Sequence, residues 1–242
     1  MADILIAEDD ARIRLYVAAA LKEAGHTTRT AADGVATLSA YAERRPDLLV
    51  LDLMMPRKSG FDVCEELRKT DVSLPILVLT AKEAESDKIL AFGLGADDYM
   101  TKPFSMSELK VRIGAILRRA RLGDTAGRVE DVFKFVSWKV DAAKFMLVAA
   151  DGTQTPLTSL ELGILRLLAA HPGEVIVRER FLNELWGVSY YGTTRTLDSR
   201  MSTLRHKLGD DGAYIETQRG IGYRFNPPGS RKSASRATSS RR

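Results

Sequence analysis

Ile4-Leu5-Ile6-Ala7-Glu8-Asp9-Asp10 is the stretch that decides the fold: four apolar residues without alternation, then three carboxylates in a row. A strand with one wet face alternates polar and apolar side chains, so an unbroken apolar run fits a strand covered on both faces, as in a parallel sheet. Two further runs repeat the pattern. Leu48-Leu49-Val50-Leu51 ends at Asp52, and Leu74-Pro75-Ile76-Leu77-Val78-Leu79 ends at Thr80. Between and after them lie helical stripes. Ile13, Val17, Ala20, Leu21 and Ala24 form one that Gly25 stops; Phe61, Cys64 and Leu67 form a shorter one; Leu109, Ile113, Ile116 and Leu117 form a third. Strands alternating with helices predict a doubly wound α/β domain, a five-stranded parallel sheet, over residues 1–121.

Outward from that domain, the 242-residue chain has room for a second one. Residues 122–128 are small and polar and read as a linker. Residues 129–227 change from strand-like to mostly helical and close on a glycine- and aromatic-rich hairpin pattern, Tyr214 to Phe225. Residues 228–242 form a Ser/Arg-rich tail with almost nothing apolar to bury, which predicts disorder. With 45% hydrophobic and 28% charged residues the chain as a whole is globular in composition, which excludes a disordered or collagen-like protein. No apolar run reaches the roughly 18 residues of a membrane span, and the N-terminus lacks a secretory pattern, so a cytoplasmic protein without membrane contact is expected. Cys64 is the single cysteine, which excludes an intramolecular disulfide and a thiolate zinc cluster.

Charge divides unevenly. Residues 1–121 carry eighteen Lys+Arg against nineteen Asp+Glu, and residues 122–242 carry eighteen against thirteen. The five basic residues of the tail account for the whole excess, so a nucleic-acid partner must be argued from local charge placement.

Ligands of open α/β sheets bind at the carboxyl ends of the strands. Glu8, Asp9 and Asp10 follow the first run, Asp52 ends the third strand, Thr80 ends the fourth, and Lys102-Pro103 follows Tyr99-Met100, the expected fifth. Carboxylates gathered from two strands repel one another unless a cation compensates. A hard divalent ion such as Mg²⁺ suits that oxygen-rich setting. One of the acidic residues, Asp9 or Asp10, is also placed to cap the following helix.

These residues carry a resemblance. Glu8-Asp9-Asp10, Asp52-Leu53-Met54-Met55-Pro56 followed by Gly60, Leu79-Thr80-Ala81, and Gly95-Ala96-Asp97-Asp98-Tyr99-Met100-Thr101-Lys102-Pro103-Phe104 are similar to the receiver domains of bacterial two-component response regulators. The resemblance implies that Asp52 accepts a phosphoryl group from a sensor histidine kinase. It further implies that Glu8, Asp9, Asp52 and the Met54 carbonyl form the acidic Mg²⁺ pocket, and that Thr80, Tyr99, Lys102 and Pro103 form the phosphate-binding and switch set. Tyr99 would turn inward on modification. Slow self-dephosphorylation would be the only turnover.

Around Tyr99 the chain resembles the OmpR/PhoB subfamily, whose phosphorylated receivers pair through their last helix–strand–helix face. That implies a homodimer with Lys88 against Glu108, Asp97 against Arg119 and Asp98 against Arg112, around an apolar patch including Ile89, Leu109 and Ile113. From Pro156 onward the chain is similar to the subfamily's α+β winged helix-turn-helix domain, which binds double-stranded promoter DNA at tandem half-sites and works with RNA polymerase. In its third helix Leu197, Met201, Leu204 and Leu208 recur with core spacing. That stripe leaves Arg195, Ser199, Arg200, Ser202, Thr203, Arg205 and Lys207 expected toward DNA in the major groove, and Arg219 at the wing tip in the minor groove. Two rivals stand beside this reading. An acyl-phosphate hydrolase lacks a nucleophile–base constellation in the second half, and an atypical receiver that works without phosphorylation is disfavoured by the intact Asp9, Asp52, Thr80 and Lys102.

Overall fold

The computed structural model describes residues 1–81, 95–124, 132–187 and 195–228. Its first part is a parallel sheet of β1 (Asp3–Ala7), β2 (Thr27–Ala31), β3 (Leu48–Leu51), β4 (Ile76–Thr80) and β5 (Asp98–Thr101), in the order β2-β1-β3-β4-β5. Helices α1 (Ala11–Glu23), α2 (Gly34–Glu43), α3 (Gly60–Thr70) and α4 (Met106–Asp124) accompany it. The apolar runs split by parity. Leu5, Ala7, Leu49, Leu51, Ile76 and Val78 pack with Val63, Cys64 and Leu67 of α3, while Ile4, Ile6, Leu48, Val50, Leu77 and Leu79 pack with Val17 and Leu21 of α1 and Leu109, Ile113 and Ile116 of α4. Two helical layers therefore cover both faces, which is why these strands show no alternation. Helix α4 continues to Asp124, into the stretch expected as linker; residues 125–131 lie outside the described residues, as does most of the basic tail.

The second part opens on an antiparallel sheet of β6 (Val132–Phe135), β7 (Trp138–Asp141), β8 (Met146–Val148) and β9 (Gln154–Pro156). Helices α5 (Ser159–Ala170), α6 (Arg178–Leu185) and α7 (Arg195–Leu208) follow, and β10 (Val175–Val177) pairs with the hairpin of β11 (Ile215–Gln218) and β12 (Gly222–Phe225). Thr158 and Glu161 form a reciprocal capping box that starts α5. Leu197, Met201, Leu204 and Leu208 all enter one core with Leu160, Leu165, Phe181 and Trp186, as their spacing predicts. This is the helical triad with a wing of an α+β winged helix-turn-helix domain.

One glycine ties the fold to the strand ends. Gly60 donates its amide to the Leu53 carbonyl, 2.9 Å away, and a Cβ there would lie 2.1 Å from the Asp52 carbonyl oxygen. Gly60→Ala should therefore cost about 1–3 kcal/mol in chemical denaturation, the range for forced overpacking; unchanged stability would show that the Asp52 loop is not clamped this way.

Candidate functional site

The order β2-β1-β3-β4-β5 reverses between β1 and β3, and the crevice at that switch point is where an open α/β sheet offers a ligand site. The last hydrogen bonds of the sheet aim its side chains there. Asp52 donates its amide to the Ala7 carbonyl at 2.9 Å, Glu8 donates to Ala31 at 3.1 Å, and Lys102 donates to Thr80 at 2.9 Å. Carboxylate oxygens of Glu8, Asp9 and Asp52 consequently lie within 4.8 Å of one another. Glu8, Asp52 and Thr80 are buried, and Asp9 is exposed at the mouth.

Lys102 bridges the two buried carboxylates. Its Nζ lies 2.6 Å from Glu8 Oε2 and 2.5 Å from Asp52 Oδ2, while Asp52 Oδ1 accepts the Met54 amide at 3.0 Å. Burial raises the Glu8 carboxyl above its usual range, and the Lys102 ammonium opposes that rise without cancelling it. Burial acts to lower Lys102, but its bonds to Asp52 and Glu8 prevail and hold it above the ordinary lysine value. One ammonium faces three carboxyl groups, so the pocket keeps an excess of negative charge and hard oxygen donors, which fits a divalent cation.

Two neighbours shape the acidic loop. Asp10 is the N-cap of α1, accepting from the Arg12 and Ile13 amides at 2.8 and 3.3 Å, and the Arg12 guanidinium beside it holds its carboxyl down at about 2. Arg14 was not anticipated. Its Nη1 donates to the Glu8 carbonyl at 2.6 Å and the Asp9 carbonyl at 3.1 Å, clamping the backbone that carries both acids. The signal for it was only its place on α1, one turn past the cap.

The remaining expected residues divide. Tyr99 is already packed in the core on the α3 side, 8% exposed, so an inward turn from an exposed start is not what this structure offers. Pro103 is exposed after a cis Lys102–Pro103 bond. Of the pairing face, Lys88 and Ile89 lie outside the described residues. Leu109 and Ile113 are buried beneath the sheet rather than forming a surface patch, because their stripe is the one that seats α4.

The face's charges are satisfied within the chain. Arg112 donates to Asp98 at 2.7 Å and to Glu108 at 2.6 Å. Burial raises the Asp98 carboxyl, with Arg112 opposing. Asp97 accepts the Ile76 amide at 2.9 Å and lies 3.8 Å from Arg119, whose Nη1 donates to the Leu185 carbonyl of the winged domain.

On the recognition helix the expected outward row is corrected at one position and tempered at two. Arg200 is 1% exposed: three residues after Leu197 and four before Leu204, it lies on the flank of the core stripe of α7, within electrostatic reach of Asp97 and Arg68 of the receiver. Burial pushes its guanidinium below the ordinary arginine value, and the carboxylates of Glu161 and Asp97 counteract that. Arg205 donates to the Ile215 carbonyl at 3.0 Å and to Thr217 at 2.9 Å, and Lys207 donates to Glu161 at 2.7 Å, so both are half-buried and engaged. Ser202 and Arg219 are exposed, Ser199 and Thr203 half-buried, and the Arg195 side chain is outside the described set. Exposed His206 and the Asp198 carboxylate, held by Arg178 at 2.9 Å and by the Tyr223 hydroxyl, complete the surface that sequence reasoning passed over.

Comparison with known proteins accords with both halves. The response regulator receiver domain family matches residues 4–114, and the family described as transcriptional regulatory protein, C terminal, matches residues 152–225. The response regulator MprA of Mycobacterium ulcerans is 38% identical over 93% of this chain and 98% of its own. The alkaline phosphatase synthesis transcriptional regulatory protein PhoP of Bacillus subtilis is 35% identical over 93% and 97%. Among solved structures, the response regulator DrrB, a Thermotoga maritima OmpR/PhoB homolog, is 29% identical over 93% of this chain and 99% of its own with a TM-score of 0.50. A RitR mutant is similar in fold, with a TM-score of 0.77 at 23% identity over 94% and 100%. The chain belongs to the OmpR/PhoB family of two-component response regulators, DNA-binding transcription factors that accept a phosphoryl group rather than catalytic enzymes.

Removing the bridging ammonium tests the site directly. Lys102→Ala should lower stability at pH 7 by about 3 kcal/mol, the low end for breaking a buried pair, because two carboxylates are left facing each other. The loss should shrink by about pH 4.5, the ordinary glutamate value, because the Glu8 carboxyl, held above that value by burial, is mostly protonated there. A variant equally destabilised at both pH values would point to lost packing instead.

Proposed function

We propose that Asp52 is the phosphoacceptor and that its modification converts the chain into a promoter-binding homodimer. The observation that carries this reading is the Lys102 ammonium bridging Glu8 and Asp52 beside a third carboxylate, at the switch point of the sheet. A phosphohistidine nitrogen on a sensor kinase gives up its phosphoryl group. The N–P bond breaks as a carboxylate oxygen of Asp52 forms the new O–P bond, and the nitrogen keeps the electron pair. Negative charge on the group in flight needs positive partners, and Lys102 is the chain's own. Mg²⁺, held by the Asp9 and Asp52 carboxylates and the Met54 carbonyl with Glu8 beside them, would supply the second positive charge. Thr80, buried at the end of β4, would donate its hydroxyl to a phosphoryl oxygen. Tyr99, opposite Val78 on the neighbouring strand β5, would report the change to the pairing face.

Pairing of two receivers would set two winged domains on tandem half-sites in double-stranded DNA. The exposed Ser202 and Arg219 are the first contacts, Arg195, Ser199, Thr203, Arg205 and Lys207 the flanking ones, and RNA polymerase the downstream partner. The family's setting is the cytoplasm, and among the described residues no helix is long and apolar enough to cross a membrane.

Incubated with magnesium and acetyl phosphate, the intact protein should gain the mass of one phosphoryl group, and Asp52→Asn should gain none. Label on the variant would move the acceptor elsewhere. For the wing, Arg219→Ala should weaken DNA binding at every sequence and reduce the slope of log affinity against log salt by about 0.9, the value for one lost phosphate neutralisation. An unchanged slope would remove Arg219 from the interface.

A further inference from the structure

The folded surface offered to DNA is short of free positive charge. Of the described basic side chains on α7 and the wing hairpin, Arg219 alone is exposed. Arg200 is buried, Arg205 bonds the Ile215 carbonyl and Thr217, Lys207 bonds Glu161 at 2.7 Å, and Arg224 is paired with Glu216 at 2.8 Å. Arg178, at the start of α6, is held by Asp198 at 2.9 Å. Duplex DNA carries one negative charge per roughly 1.7 Å of its axis, and sequence-independent binding comes almost wholly from phosphates neutralised by lysine and arginine. One exposed arginine supplies little of that.

The uncompensated charge lies next to that surface in the chain. Residues 122–229 hold thirteen basic and thirteen acidic side chains, so the excess is confined to Arg231, Lys232, Arg236, Arg241 and Arg242, with no acid among residues 230–242. Their root is fixed at the base of the wing. Strand β12 carries the chain from the wing turn back to Phe225, whose carbonyl accepts from Gly173 at 2.7 Å, and Asn226 donates its amide to the Tyr214 carbonyl at 2.9 Å. Four strand residues at about 3.3 Å each put that root roughly 13 Å from the turn. The composition of residues 229–242 gives them almost nothing to bury, and an unfolded chain of fourteen residues spans about 20 Å on average. The wing turn and the DNA beside it are within that span. The acidic surface at the root competes poorly, because the groove lined by Asp210, Glu216 and Asn226 offers two carboxylates, one of them already taken by Arg224.

We propose that residues 229–242 are a second DNA-binding element, a tether of cations that neutralises phosphates flanking the wing whatever the sequence, while Arg219 and α7 hold the register. The inference deepens the DNA-binding reading above and rests on it. The tail acts once the winged domain is seated, because a short tether raises the local concentration of its charges to the millimolar range. Affinity and choice are thereby divided. The tail sets how tightly any duplex is held, and the folded surface sets which one.

The full-length variant carrying Arg231→Gln, Lys232→Gln, Arg236→Gln, Arg241→Gln and Arg242→Gln keeps the chain length and alters neither folded domain. With a random-sequence DNA duplex as the probe, its slope of log affinity against log salt should be shallower than that of the wild type by about 0.9 to 4.5, one to five lost neutralisations. Its thermal unfolding should match the wild type. The charge-retaining variant Arg231→Lys, Arg236→Lys, Arg241→Lys, Arg242→Lys should keep the wild-type slope, and a loss there would contradict contacts made by charge alone. If the wild type binds the duplex and the glutamine variant shows the same slope, the tail is overturned and the winged surface stands. If the wild type does not bind the duplex, the DNA-binding reading falls and the tail with it. Lost attraction to phosphatidylglycerol vesicles with the duplex slope intact would assign the tail to a lipid surface and overturn the proposal equally.

Discussion

A lysine ammonium held between two buried carboxylates is the constraint on which the receiver depends. Glu8 and Asp52 arrive from different strands because β1 and β3 are neighbours in the sheet, and carboxylates brought that close repel one another unless a cation compensates. Lys102 provides part of it and leaves an excess of negative charge. The same incomplete compensation suits the pocket to an incoming cation and to a phosphoryl group that needs both. Gly60 and Arg14 serve this arrangement, one admitting the Asp52 backbone and the other fixing the Glu8-Asp9 backbone.

A second polar cluster joins the receiver to the winged domain. Asp97 lies at the start of β5, the strand that carries Tyr99 and leads into Lys102, and its carboxylate accepts from Ile76 within the receiver and from Ser159 in the winged domain. Buried charges so placed contribute less to stability than to the choice of partner, since breaking them singly is costly while exchanging one set for another is nearly balanced.

Much of this was legible in the sequence. The unalternating runs at Ile4, Leu48 and Leu74 predicted doubly covered strands, and their terminal residues predicted the pocket, because strand ends in a parallel sheet converge by topology alone. The winged core followed from the spacing of Leu197, Met201, Leu204 and Leu208. Three placements differ from what the sequence pattern leads one to expect, for different reasons. Arg200 stood at helical spacing from Leu197 and Leu204, so its inward direction was present in the pattern, but its charge argued for solvent. Leu109 and Ile113 were assigned both to the core and to the pairing surface, and one helix face cannot do both. Asp97 with Arg119 and Asp98 with Arg112 lie together within this one chain, and complementarity alone does not tell a pairing inside a chain from one between two copies. Ser159 carried no signal, since a serine after a helix cap is ordinary.

Backbone hydrogen exchange of the full chain, followed with Asp52 unmodified and then fully phosphorylated, tests the link between pocket and output most directly. The account predicts that peptides covering 159–163 and 185–187 exchange faster after modification, while 109–117 in α4 stays protected. Equal protection of 159–163 and 185–187 in both forms, with phosphate confirmed on Asp52, would contradict it.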